Sequence, residues 1–316
     1  MRKYIYHLYG IGICILIASI ILIIDRSNNI YAWTLGDLSS RYDSVFEAIN
    51  SHDYITARQE LKPLARIDSA KFAQYSLGDL YYRGLGGEKD YDKAYKLFKE
   101  SAENGNMDAM NNIAFMSLYG HGTDVNYAKA YELFRNAALQ GNPHAQLGLG
   151  TMYRHGWGVT RSCMLAMDWY KRSASHGNSD AMNNIGYMQY NGIGVPMDSQ
   201  QAFYWFSRAA VLGNPIAEYN MGVLYCVGRG VDHKDLVKGA EWLTKSAMKG
   251  NSSAQYNLGN MYYFGKGVEK DVEKAELWYR AAAKEGHKRA SFTIKDLENK
   301  GYIEPKDSLM EFDVED

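Results

Sequence analysis

Small and apolar residues recur along most of this chain at a fixed spacing, and that spacing predicts its elements. An alanine column stands at Ala73, Ala109, Ala145, Ala181, Ala217, Ala254 and Ala290. In step with it run a Gly-x-Gly column, Gly84/Gly86, Gly120/Gly122, Gly156/Gly158, Gly192/Gly194, Gly228/Gly230 and Gly265/Gly267, and a single-glycine column, Gly105, Gly141, Gly177, Gly213, Gly250 and Gly286. The period is 36 residues (Ala73 to Ala109), with one step of 37 (Ala217 to Ala254). The stretches between glycines have helical length and periodicity, so each period predicts a helix A, a Gly-x-Gly turn, a helix B and a glycine turn.

Polar residues mark the helix ends. Asp90, Asn126, Ser162, Asp198, Asp235 and Asp271 precede helix B and can accept from its free backbone N–H groups. Asn106, Asn142, Asn178, Asn214 and Asn251 follow the single glycine as caps for the next helix A, with Pro143 and Pro215 in the first turn. Phe98, Phe134, Tyr170, Phe206 and Tyr279, with Trp169, Trp205, Trp242 and Trp278 one residue earlier, predict the buried face of helix B. Small residues of helix A (Gly78, Ala114, Gly150, Gly186, Gly222, Gly259) are expected to face Ala94, Ala130, Ala166, Ala202, Gly239 and Ala275 of helix B.

Six copies of one unit separate the positions that packing fixes from those it leaves free. On helix A the repeated small and apolar positions centre about 65° from the leading alanine, whereas steps 3, 6 and 10 fall at about 300°, 240° and 280°. Step 6 carries Asp79, Phe115, Thr151, Tyr187, Val223 and Asn260; step 10 carries Arg83, Tyr119, His155, Asn191, Val227 and Phe264. Step 3 is mostly amide, with Asn112, Asn184, Asn220 and Asn257, able to bond a partner's backbone or neighbouring loops. The candidate partner-binding residues are therefore Asp79, Arg83, Asn112, Phe115, Tyr119, His155, Asn184, Tyr187, Asn220 and Asn257, centred on an aromatic patch of Phe115, Tyr119, His155 and Tyr187.

The run Ala254-Gln255-Tyr256-Asn257-Leu258-Gly259, then Tyr262, Gly265-Lys266-Gly267-Val268, Lys274-Ala275, Trp278-Tyr279 and Ala281-Ala282-Ala283, resembles the Sel-one-like repeat. That resemblance implies an all-α fold, a right-handed tetratricopeptide-like α-solenoid of helix-turn-helix repeats whose helix A faces line a binding groove. Six repeats are expected over 73–288, after a degenerate helix-pair cap at 37–72 and before a C-terminal capping helix at 289–302 and an acidic tail at 303–316. The resemblance further implies work as a protein-binding scaffold, regulator or immunity protein. The partners expected are a lipase-type toxin or an envelope complex component, or, in a eukaryote, an endoplasmic-reticulum adaptor role applies.

The first 24 residues form a separate object. Arg2 and Lys3 precede an uncharged stretch, dense in Ile and Leu from Leu8 and ending at Asp25 and Arg26. Its length suits a spanning helix better than a secretory apolar core. The expectation is a cytoplasmic stub at 1–7, a transmembrane signal-anchor helix at 8–24 and a linker at 25–36, with the repeats on the periplasmic side of the inner membrane. Cleavage after Ala32, releasing a periplasmic or secreted protein, is the competing reading.

Composition removes several other classes. A formal net charge of -1, with mixed signs along the chain, gives no footprint for nucleic acid. Of the three cysteines Cys14 lies in the apolar run, and Cys163 and Cys226, two repeats apart, are expected not to pair. The Gly-x-Gly turns follow helices and never continue as a phosphate loop, and the eight histidines lack metal-ligand spacing. Ser246-Ala247-Met248-Lys249 matches the Ser-x-x-Lys of β-lactam-binding enzymes, and cysteine-rich relatives have been linked to that chemistry. Its companion motifs and the paired cysteines are missing here. No enzymatic activity, cofactor, metal or small-molecule substrate is expected; a β-lactamase-like hydrolase is the alternative.

Overall fold

The computed structural model describes residues 20–24, 30–67 and 70–302. Fifteen α-helices follow a short hairpin among these residues: α1 (Leu35–Asn50), α2 (Tyr54–Leu64), α3 (Lys71–Arg83), α4 (Tyr91–Glu103), α5 (Met107–Tyr119), α6 (Tyr127–Leu139), α7 (Pro143–His155), α8 (Cys163–Ser175), α9 (Ser179–Asn191), α10 (Ser199–Val211), α11 (Pro215–Val227), α12 (Leu236–Met248), α13 (Ser252–Phe264), α14 (Val272–Lys284) and α15 (Lys288–Asn299). The chain forms two compact units, residues 1–166 and 167–316, with the boundary inside α8. Within each unit consecutive helices pack in sequence order, the packing expected of repeats that bury their apolar faces on their neighbours.

The amino-terminal expectation is corrected in part. Residues 8–19 of the expected transmembrane helix lie outside the described residues, but its last five form strand β1 (Ile20–Ile24), antiparallel to β2 (Ile30–Thr34), with Ile20 opposite Thr34 and Ile24 opposite Ile30. Four isoleucines in five residues suit an extended strand, because their branched Cβ favours the pleated backbone. Among the described residues no helix is long and apolar enough to cross a membrane. The acidic tail also lies outside the described residues.

Every cap expected for helix B is made. Asp90, Asn126, Ser162, Asp198, Asp235 and Asp271 each accept from a backbone N–H two or three residues on, at 2.9–3.3 Å. Backbone bonds to the ionised form are the main cause holding the carboxyls of Asp235 and Asp271 below their ordinary range, whereas for Asp90 the Lys93 ammonium at 2.7 Å is the larger cause and the cap bond the next. The expected asparagines cap α5, α7, α9, α11 and α13, with Pro143 and Pro215 at the helix starts.

The two glycine columns have different physical causes. Gly286 has φ +80° with nothing within 4 Å of where a Cβ would sit, so only its left-handed turn demands glycine. Gly267 adds a close approach, since a Cβ there would strike the carbonyl oxygen of Leu236, the first residue of α12 in the preceding repeat. Gly122 and Gly230 meet the carbonyls of Tyr91 and Ser199 in the same way, so at these turns the second glycine of Gly-x-Gly sets how near the turn comes to the previous helix B.

Phe98, Phe134, Tyr170, Phe206 and Tyr279 fill the core beside the fully enclosed alanine column, with Leu243 in the same place in the fifth repeat. The tryptophans one residue earlier are only half-buried, because one helical step turns them toward the rim. The helix A glycines face these rings rather than chiefly the small residues expected: a Cβ at Gly186 would stand 2.8 Å from Phe206, and one at Gly259 2.7 Å from Tyr279. In α7 the glycine against a ring is Gly148, which meets Phe134. The Tyr279 hydroxyl donates to Asn260 Oδ1 at 2.9 Å, so the buried ring carries no orphaned polar group.

Candidate functional site

The helix A stripe resolves into several local arrangements. Asp79 and Arg83 pair with each other along α3 at 2.9 Å. Asn112 on α5 is half-buried and hydrogen-bonds the Tyr75 side chain, and Asn220 on α11 donates to Asn183 of α9 at 2.9 Å, so amides of this stripe join neighbouring repeats. Asn184 is half-buried on α9, Tyr187 of the same helix is 41% exposed, and Asn257 lines a cleft between α11, α13 and α15.

Phe115, Tyr119 and His155 come together in the first unit through residues of the Gly-x-Gly turns. Tyr119, at the end of α5, is 48% exposed and lies 6.4 Å from the parallel ring of Phe115. Phe115 is half-buried, its ring edge-on to the core residue Phe134 at 4.8 Å. On its other sides Tyr119 meets His121 and, edge-on, Trp157, each at 6.1 Å. His121 stacks on Tyr91 at 4.5 Å and lies beside Tyr82, with Nδ1 3.1 Å from that hydroxyl. Trp157 is covered on one side by His155 at 4.5 Å and stacks with Tyr127 at 6.3 Å.

His121 and Trp157 are the middle residues of Gly120-His121-Gly122 and Gly156-Trp157-Gly158, positions that the helix A stripe does not contain. The signal that finds them is the variable middle column of the Gly-x-Gly turns, Leu85, His121, Trp157, Ile193, Arg229 and Lys266, which carries rings only in these two repeats. Burial raises the Tyr119 hydroxyl, keeping it a neutral donor. Partial burial, then the charges of Arg154 and Arg161, lowers the His155 imidazole from its ordinary value, which favours its neutral ring against Trp157. Aromatic rings of this kind present large, rigid apolar area with a polar edge, the chemistry of protein-contact anchors.

The residues suggesting chemistry are engaged in packing. Ser246 Oγ is enclosed and donates to the Pro215 carbonyl at 2.6 Å; Lys249 Nζ donates to Glu218 at 2.7 Å and to the Gly213 carbonyl at 3.0 Å. Cys163 and Cys226 are both free thiols. Among the described residues no group of three or more His, Cys, Asp or Glu is placed to hold a metal ion.

Comparison with known families settles the repeat. The Sel1 repeat profile matches residues 71–106, 108–142, 143–178, 179–214, 215–251 and 252–287. The chain belongs to the Sel1 repeat family. A Sel1 repeat protein from Oxalobacter formigenes is 28% identical, with a TM-score of 0.66 over 77% of this chain and 98% of that one. The c5321 protein of uropathogenic Escherichia coli, described as a protective antigen with an SLR fold, is 29% identical, with a TM-score of 0.58 over 84% of this chain. The present chain spans 57% of the length of c5321. Among curated proteins none matches the chain. As a Sel1 repeat protein it is built of helix pairs in the matched region, and its individuality lies in what those pairs leave exposed.

Proposed function

We propose that this Sel1 repeat protein is a protein-binding module without catalytic activity, and that the aromatic cluster of α5, α7 and their turns is its principal contact surface. The observation carrying this reading is Tyr119, roughly half exposed yet held from three sides by Phe115, His121 and Trp157. A ring fixed before binding loses little entropy when a partner covers it, which favours a specific anchor over an incidental surface residue. The absence of catalysis is supported by the packing duties of Ser246 and Lys249, which occupy the groups a Ser-x-x-Lys hydrolase would need free.

Placement of the repeats beyond a membrane is supported by the composition of the first residues, Arg2 and Lys3 followed by an uncharged apolar run from Leu8, as in an export segment. The finer role, neutralising a secreted lipase-type toxin or holding an envelope complex, rests on the family resemblance alone. Affinity capture from envelope extract, with the full chain and its Tyr119→Ala variant as baits, tests the reading. A protein retained by the first and lost from the second, at unchanged helical circular dichroism, is the expected result, and its identity decides between toxin inhibitor and scaffold. Equal retention would overturn the cluster as the contact surface; no retained protein would overturn the module itself. Phe115 is left intact because its contact with Phe134 makes it part of the core.

A further inference from the structure

The second unit carries an open cleft of about 290 Å³ between α11, α13 and the start of α15, lined by Tyr219, Ser253, Tyr256, Asn257, His287, Lys288 and Arg289. Its lining is chemically one-sided. Lys288 and Arg289 bring two full positive charges, no lining residue is acidic, and each of the seven side chains can donate a hydrogen bond. His287 is fixed as a donor by its other nitrogen: Nδ1 accepts from the Ala290 backbone N–H at 3.2 Å, which leaves the proton on Nε2. The imidazole is held further by stacking on Tyr256 at 4.7 Å.

Both cations are exposed, and among the described residues no carboxylate pairs with either. Nearby Arg280 differs, being paired with Glu276 and Glu298 at 2.8 and 3.0 Å. The repeat fold does not dictate this arrangement. Equivalent helix starts carry Pro143-His144, Ser179-Asp180 and Pro215-Ile216 where α15 carries Lys288-Arg289.

We propose that this cleft is a carboxylate-binding site that takes an acidic side chain or terminal carboxylate of a peptide segment, with Arg289 and Lys288 supplying charge and Asn257, Ser253 and the His287 Nε2–H supplying direction. Arginine and lysine bound to carboxylates make the stronger, charge-assisted class of hydrogen bond, and neutral donors around them fix orientation. The inference rests on the reading of the chain as a protein-binding module, but it concerns a different unit and a different chemistry from the aromatic cluster.

A fluorescein-labelled hexaglutamate peptide, with hexaglutamine as control, is titrated by anisotropy against the full chain and against a form ending at Tyr302. The shorter form lacks the acidic residues from Glu304 to Asp316, whose carboxylates are of the class this cleft would take. Expected are salt-sensitive binding of hexaglutamate by at least one form and none of hexaglutamine. Lys288→Gln/Arg289→Gln should weaken binding at least fivefold and Asn257→Ala measurably, whereas Lys284→Gln, on the exposed end of α14, leaves it within twofold. Binding to neither form, or equal binding by the double variant, overturns the site. Displacement by inorganic phosphate at the same concentration as hexaglutamate overturns the assignment to peptide. None of these results depends on Tyr119, so the capture comparison and this titration fail separately.

Discussion

The carboxylate of Glu218 accepts a hydrogen bond from the Lys249 ammonium at 2.7 Å, and this pair replaces a contact that glutamine makes in other repeats. Gln146 and Gln255 occupy the same repeat position as Glu218. Their Nε2 groups donate to the carbonyls of Ala138 and Ala247 at 3.2 and 3.1 Å, tying the start of a helix A to the end of the preceding helix B. A carboxylate cannot donate, so Glu218 accepts instead, and from a different helix: Lys249, just past the following helix α12, donates to Glu218 and also to the carbonyl of Gly213 in the turn before α11.

Replacing Lys249 by Ala leaves a carboxylate that is almost fully enclosed without its counter-charge. The expected loss is about 1–3 kcal/mol, below the 3–5 kcal/mol typical of a fully buried pair because Lys249 itself is substantially solvated. Adding Glu218→Gln removes the stranded charge and installs the side chain that Gln146 and Gln255 carry at the same position. Urea unfolding should therefore find the double variant more stable than Lys249→Ala alone; if it is not, the pair is not what braces this repeat junction.

Gly267 and Gly286 separate backbone conformation from close approach. Gly286→Ala should cost only the left-handed penalty, about 1–2 kcal/mol, since its surroundings are open. Gly267→Ala has the same penalty plus a collision with the Leu236 carbonyl, and overpacking of this kind adds about 1–3 kcal/mol. Equal losses for the two in thermal or urea unfolding would refute the view that the second glycine of Gly-x-Gly spaces one repeat from the last.

The helix boundaries were legible from sequence because each is set locally: Asp271 caps the N–H of Lys274 three residues on, and Gly286 turns the chain within one residue. Six copies in register made such local rules visible as columns. The site was less legible because its contacts cross between columns. Tyr119 and His155 share a helix A position one period apart, but Trp157, from a turn, connects them. A helical wheel describes one helix and cannot place a turn residue over the helix of the preceding repeat. Residues Ile20–Ile24 show the opposite limit, since an apolar run specifies burial more firmly than it distinguishes helix from strand.

The stacking of His155 on Trp157 makes the candidate site readable by pH. Partial burial and the flanking Arg154 and Arg161 disfavour the imidazolium, so the folded His155 titrates below its ordinary value of 6.5. The unfolded chain then binds the proton more readily than the folded one, and the contribution of His155 to stability is complete above pH 6.5 and is lost as pH falls through the lower folded value. An imidazolium against an excited indole quenches its emission, whereas the neutral ring does so weakly. With six tryptophans in the chain, the signal of this one is the difference between the natural protein and Trp157→Phe. That difference emission should fall on acidification with a midpoint below 6.5 and should lose its pH dependence in His155→Gln. A midpoint at or above 6.5, or a transition that survives His155→Gln, would mean that His155 does not cover Trp157 in solution, and the support proposed for Tyr119 would lose one of its sides.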